Sequence, residues 1–111
     1  MKYHDMAVGY LETALMLKRS IAKLREKRAK TNRRCDKADF DRRIESLECN
    51  YYDNMAYVEM FRDSLTEDEL EQARQANLEM RQPYVELAER QRQLNRKYHE
   101  KRKAKRGMKN D

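Results

Sequence analysis

The chain has 111 residues, of which 41% are charged; its net charge is +6, and it contains only two glycines and one proline. This length allows at most one domain with a small core, and no segment approaches the roughly 20 apolar residues that span a bilayer. Abundant helix formers predict an all-α fold, an antiparallel three-helix bundle or coiled-coil-like hairpin with a long third helix, as a single domain over 1–106.

The first predicted helix covers about residues 3–30. Its apolar residues recur at alternating spacings of four and three, which places them on one face. They are Tyr3, Ala7, Tyr10, Ala14, Leu17, Ile21 and Leu24. The same positions further on are Arg28 and Thr31, so we expect the buried seam to fade towards the first turn.

The second predicted helix covers about residues 37–64. Asp36 and Asp39 are both candidate N-caps, because a carboxylate accepts hydrogen bonds from the free amides of a first turn. The apolar face predicted for this helix consists of Phe40, Ile44, Leu47, Tyr51, Met55, Val58 and either Phe61 or Leu65.

The third predicted helix covers about residues 67–105 and begins with a capping box, Thr66 followed by Glu69. Its stripe alternates spacings of three and four without a break, as in coiled coils. The stripe is Leu70, Ala73, Asn77, Met80, Tyr84, Leu87, Gln91, Leu94 and Tyr98. The polar Asn77 and Gln91 are therefore predicted to specify register or partner choice, or to face water.

Pro83 lies inside this third helix and is expected to kink it, because proline lacks an amide hydrogen and crowds the carbonyl four residues earlier. A division into two helices, roughly 67–81 and 83–105, is the alternative. Gly107 is a predicted helix stop, which leaves 107–111 as a flexible basic tail end.

Charge is distributed in three blocks. Residues 23–43 have a net charge of +6, residues 44–89 of −9 and residues 90–111 of +8. Short connections favour antiparallel neighbours, so a chain that runs up, down and up brings both positive blocks to one pole. Like charges gathered in this way repel one another, and a polyanion relieves that repulsion.

Phosphate backbones are the polyanions that such clusters bind best, so we predict nucleic acid or a ribonucleoprotein as the partner. A solvated, partly disordered basic end is the simpler interpretation of the second cluster alone. Tyr98 and His99 could stack on unpaired bases. The candidate nucleic-acid-binding residues are Lys27, Arg28, Lys30, Arg33, Arg34, Lys97, Lys101, Arg102, Lys103 and Arg106.

No residue pattern predicts catalysis, a cofactor or a metal site. Cys35 and Cys49 lie 14 residues apart, and His4 and His99 have no spacing that would complete a zinc site. A Gly-rich phosphate loop and a nucleophile elbow are also missing. We therefore expect a non-enzymatic, cytoplasmic protein with reduced thiols and no membrane partner.

Two further functions compete with nucleic-acid binding. Short, charged helical chains are typical of phage and mobile elements, so one alternative is an inhibitor or adaptor that binds a nucleic-acid enzyme through its Tyr-rich or acidic face. The other is a structural adaptor that forms a homodimer through the third helix. The candidate protein-interface residues are Tyr51, Tyr52, Tyr57, Asn77 and Gln91.

Overall fold

The computed structural model describes the backbone of residues 2–109 and the side chains of residues 2–107. Within that range the chain forms three long α-helices, α1 (His4–Lys30), α2 (Arg34–Met60) and α3 (Glu67–Lys109). A short 3-10 helix, Arg62–Ser64, precedes α3, and the described residues contain no strand. The predicted all-α helical class is therefore confirmed. None of the described helices is long and apolar enough to cross a membrane.

The chain divides into two compact units, with the boundary between Asn77 and Leu78. The first unit contains α1, α2 and the start of α3, and the second contains the rest of α3. This boundary lies inside a continuous helix, so each unit is described by itself below.

α1 and α2 form an antiparallel hairpin in the first unit. Arg28, near the end of α1, bonds to Asp41, near the start of α2. At the other end of the hairpin the rings of Tyr10 and Tyr57 stack with centroids 4.6 Å apart. The buried residues of α1 and α2 also include most of the two apolar stripes that the sequence predicts.

The N-terminus of α2 differs from the prediction. The helix begins at Arg34, three residues earlier than expected, and its N-cap is Arg33, which makes no side-chain capping bond. Only three residues separate α1 from α2, so Asp36 and Asp39 both lie inside α2 and neither is its N-cap. Asp36 instead lies in the first turn, where its carboxylate still suits the positive end of the helix dipole.

α2 also ends earlier than residue 64. The amides of Ser64 and Leu65 donate to the carbonyls of Phe61 and Arg62, at 2.9 and 3.1 Å. These bonds span three residues rather than four, so the chain tightens into a 3-10 turn after Met60. Leu65 then adopts an extended backbone that leads into α3.

The core follows the predicted apolar faces closely. Tyr51, Ile21 and Met80 are the largest fully buried side chains. Leu11, which lies beside the predicted stripe of α1, is buried, whereas Tyr3 within that stripe is exposed. The apolar core residues are Ala7, Leu11, Ala14, Ile21, Leu24, Ile44, Tyr51, Met55, Val58, Leu65, Ala73, Ala76 and Met80.

The capping box at the start of α3 is confirmed. The amide of Thr66 donates to Glu69 Oε1 at 2.8 Å, and the amide of Glu69 donates to Thr66 Oγ1 at 3.2 Å. Glu69 has a further partner that the sequence pattern does not predict, since His4 Nε2 lies 2.9 Å from Glu69 Oε1. This contact ties the first turn of α1 to the first turn of α3.

α3 is one helix from Glu67 to Lys109, so the predicted alternative of two helices separated at Pro83 is wrong. The kink expected at Pro83 is not confirmed. Gly107 lies inside α3 rather than stopping it, because its backbone does not adopt the left-handed conformation of a glycine C-cap. Residues 107–109 of the predicted tail end are thus helical, and 110–111 lie outside the described residues.

Candidate nucleic-acid interface

The net charge of the protein belongs to its second unit. The sequence up to Asn77 contains 15 Lys and Arg against 15 Asp and Glu, and the sequence from Leu78 onward contains 11 against 5. The first unit is therefore neutral as a whole, although its cations and anions occupy different stretches of the chain. The excess of +6 lies in the second unit.

Five arginines of the first unit are paired with carboxylates. Arg25 donates to Glu48 at 2.8 Å in a half-buried pair that links α1 to α2. Arg28 makes two bonds to Asp41, of 2.5 and 3.2 Å, which also join the two helices. Three exposed pairs join residues that are three apart in the sequence: Arg42 with Asp39, Arg62 with Glu59, and Arg74 with Glu71.

The basic segment of α3, residues 96–106, has the opposite character. It contains seven cations and one acid, Glu100, and all of its side chains are exposed. None of the seven forms an ion pair within the described part of the chain; they are Arg96, Lys97, Lys101, Arg102, Lys103, Lys105 and Arg106. Because successive helical residues are turned by about 100°, these cations surround much of the helix.

Two aromatic rings lie within the basic segment. Tyr98 and His99 approach edge to face with ring centroids 6.2 Å apart. The Arg102 guanidinium lies 5.6 Å from the centre of the Tyr98 ring, a cation–π distance. His99, Arg102, Lys103 and Arg106 also line one shallow depression on the helix. Charge and stackable surface therefore coincide on a few turns of helix.

The candidate nucleic-acid-binding residues near the link between α1 and α2 differ from one another in their surroundings. Arg28 is paired with the carboxylate of Asp41 across the hairpin. Lys27 and Lys30 line a depression that also contains carboxylates, those of Asp36 and Asp39.

Arg33 and Arg34 are exposed and lie in or beside the link between α1 and α2. The turn and the basic segment belong to different compact units, and their convergence stays a prediction.

Two of the candidate protein-interface residues lie in the first unit's interior. Tyr51 is 0% exposed, and its hydroxyl donates to Asn77 Oδ1 at 2.8 Å. Asn77 is half-buried, so this polar residue of the predicted seam accepts a bond from α2 and specifies how α3 meets it. Tyr51 is thus a core residue that offers no surface to a partner.

The remaining interface candidates are exposed. Tyr52 packs its ring edge-on against Tyr51, and Tyr57 stacks on Tyr10 while keeping much of its surface accessible. Gln91 is exposed on α3, where its side-chain amide donates to Asn95 Oδ1 at 3.1 Å. Tyr52 and Tyr57 belong to α2 in the first unit, and Gln91 belongs to α3 in the second.

Cys35 and Cys49 are both free thiols with exposed residues. Among the described residues, no group of three or more His, Cys, Asp or Glu is placed to hold a metal ion. The two histidines have other contacts: His4 with Glu69, and His99 with Tyr98. The chemistry available at the basic segment is therefore ionic contact and ring stacking.

The contacts of His4 and of the Tyr3, Tyr10, Tyr57 and Phe61 rings were not predicted. The ring pairs lie 4.6 to 6.4 Å apart at the end of the hairpin away from the α1–α2 link. The sequence indicates these contacts only indirectly: Tyr3 and Tyr10 share the predicted apolar stripe of α1, and Phe61 is a candidate for the last position of the stripe of α2. The pairing of rings between helices depends on the register of the hairpin.

No protein-family model, curated protein sequence or solved structure matches this chain. The fold and the candidate site therefore define it as a class: an all-α protein whose first unit has no net charge and whose last helix ends in an exposed basic segment.

Proposed function

We propose that this protein binds nucleic acid, free or within a ribonucleoprotein, through the basic segment of α3. The single observation that carries the proposal is the difference in pairing between the first unit and the basic segment. Five arginines of the first unit have carboxylate partners, whereas the seven cations of residues 96–106 form no ion pair within the described residues. Phosphates supply the anions that this helix lacks, and counterion release favours the contact.

The dimensions of the helix fit a duplex groove. An α-helix with its side chains is about 10–12 Å across, and the major groove of B-DNA is about 12 Å wide. Cations on several sides of one helix can then contact phosphates of both strands. Tyr98 and His99 provide the alternative mode, stacking on bases of a single strand. Lys30, Arg33 and Arg34 of the turn add further phosphate contacts in this proposal.

The salt dependence of binding tests the proposal. Fluorescence anisotropy of a labelled 20-base-pair DNA, and of single-stranded DNA and RNA of equal length, is measured at 50 and 200 mM salt. About six phosphate contacts predict a roughly 1,000-fold loss of affinity over this range. Absence of binding to all three probes at 50 mM salt would overturn the proposal.

A charge-matched pair of variants locates the binding surface. Replacing Arg102, Lys103 and Arg106 by Glu is expected to weaken binding at least 100-fold, because phosphate contacts become repulsions. The control replaces three exposed cations of the first unit that lie outside the proposed interface, Lys2, Arg19 and Lys23, by Glu. Its net charge changes equally, so an equal loss in both variants would mean that charge alone, and not the basic segment, drives binding.

The contribution of the turn is measured separately. Arg33→Glu with Arg34→Glu is expected to weaken binding about tenfold in the otherwise unchanged protein. Combined with Arg102→Glu and Lys103→Glu, it should abolish binding while circular dichroism and the unfolding midpoint stay unchanged. A turn variant that binds like the wild type would remove residues 33 and 34 from the proposed interface.

A cytoplasmic location accompanies the proposal, since both thiols are free.

A further inference from the structure

The second unit exposes a regular row of large apolar side chains. Tyr84, Leu87, Leu94 and Tyr98 are each 50–60% exposed. With Gln91 they follow one another at spacings of three and four, and we call these five residues the α3 stripe. Such a stripe is the seam by which one helix packs against another. Its exposure means that this part of the helix offers an apolar surface on which a partner can pack.

The charged residues that flank the α3 stripe are all cations. The helix positions immediately on either side of the stripe are the ones that face a partner's charged residues in a two-helix seam. Those positions contain four cations, three neutral residues and no acid: Arg81, Pro83, Ala88, Arg90, Asn95, Lys97 and Arg102. The acids of this part of α3 lie at other positions, away from the seam: Glu79, Glu86, Glu89 and Glu100.

This charge pattern opposes pairing of the stripe with a second copy of itself. In a parallel, in-register pair Lys97 would face Arg102 of the second copy, and no flanking acid would stand opposite any of the flanking cations. An anionic bilayer also fits poorly, because the polar Gln91 interrupts the apolar row at its centre. A partner helix with an apolar seam and acidic flanking residues can pack on the apolar row and pair with the cations on either side of it.

We propose that the α3 stripe is a docking site for an acidic amphipathic helix of a partner protein. The partner buries its own apolar seam against Tyr84, Leu87, Leu94 and Tyr98, and its Glu and Asp side chains pair with Arg81, Arg90 and Lys97. Gln91 at the centre of the stripe sets the register by demanding a polar residue opposite it. The cations beyond Tyr98 remain accessible in this complex.

Two designed peptides test the proposal with the full-length protein. Each has three heptads, with Leu at the seam positions except for one central Asn. One peptide has Glu at every flanking position, and the other has Lys there. We expect the Glu peptide to bind about 100-fold more tightly than the Lys peptide in a titration followed by anisotropy, because the flanking charges then attract instead of repelling.

Substitutions in the stripe separate docking from nucleic-acid binding. Leu87→Ala with Leu94→Ala is expected to weaken the Glu peptide at least tenfold, because the two central apolar contacts are removed. This variant keeps every charge, so its affinity for DNA should stay that of the wild type. Met16→Ala with Met60→Ala, which truncates exposed apolar residues of the hairpin, is the matched control and should bind the peptide normally.

Reversal of the flanking charge tests specificity. Arg81→Glu with Arg90→Glu leaves the basic segment intact and should shift the preference about tenfold or more towards the Lys peptide. Equal binding of both peptides by the wild type, or no binding of either, would overturn the proposal. A concentration-dependent dimer in sedimentation that the stripe variant abolishes, or binding only to vesicles of anionic lipid, would assign the stripe to another occupant and equally overturn it.

Discussion

The two compact units differ in how far their own side chains satisfy one another. In the hairpin, carboxylates face arginines across α1 and α2, and no buried side-chain polar atom among the described residues lacks a hydrogen-bond partner. In the second unit, the cations of residues 96–106 have no described anion, and four large apolar residues of the α3 stripe are half exposed or more. Side-chain contacts within the first unit stabilise its fold, whereas the second unit exposes cations and apolar residues that a partner can contact.

The two units can be compared most directly by truncating a tyrosine in each. Tyr51→Ala removes a fully buried ring and leaves a cavity, so it is expected to lower the free energy of unfolding by about 3–5 kcal/mol. Tyr98→Ala, on the exposed stripe, should change it by less than about 0.5 kcal/mol. Urea unfolding of both variants measures the difference, and equal losses would mean that the second unit is as closely packed as the first.

A smaller change isolates the hydrogen bond between α2 and α3. Tyr51→Phe keeps the ring but leaves Asn77 Oδ1 without its donor, so we expect a loss of about 1 kcal/mol. Tyr52→Phe, one residue along on the exposed side of α2, is the matched control and should leave stability unchanged. A wild-type unfolding midpoint for Tyr51→Phe would show that this bond does not stabilise the contact between the helices.

The ion pairs of the hairpin should rank by their burial. Glu48→Gln breaks the half-buried pair with Arg25 and is expected to cost about 1 kcal/mol, largely independent of salt. Asp41→Asn breaks the more exposed pair with Arg28 and should cost less than about 0.5 kcal/mol at low salt and nothing measurable at 1 M. Measuring the free energy of unfolding of both variants at low salt and at 1 M salt tests this ranking. A larger loss for Asp41→Asn than for Glu48→Gln would contradict it.

The smallest expected effect concerns acid sensitivity at the start of α3. The Thr66 amide, followed by the His4 side chain, holds the pKa of the Glu69 carboxyl below its ordinary value of 4.5. The unfolded chain therefore takes up this proton at a higher pH than the folded protein does. The stabilisation is present above that ordinary value and is lost as pH falls through the lower folded pKa.

Glu69→Gln keeps a capping side chain but removes the titration. We expect the unfolding midpoint of this variant to fall less steeply with acidification below pH 4.5 than that of the wild type. Asp68→Asn, at an exposed position of the same first turn, is the control and should retain the wild-type slope. Identical slopes for Glu69→Gln and the wild type would mean that the cap does not contribute to acid sensitivity.

Much of the helical architecture was predictable from local patterns. The spacing of Ile21 and Leu24, and of Ile44 and Val58, identified the buried faces because the helical period alone decides which side chains share a side. Thr66 and Glu69 marked the start of α3 because a capping box is closed by residues three apart. The basic segment was equally visible, since charge is a property of the residues themselves.

What only the tertiary structure decided were contacts between residues far apart in the chain. The sequence marked Tyr51 as both a core residue and an interface candidate, and burial beside Asn77 resolved the choice. It marked Arg28 as a phosphate ligand, and the structure pairs it with the carboxylate of Asp41. Periodicity specifies a face of one helix, but the partner of each side chain depends on how helices align, which is a property of the packed chain.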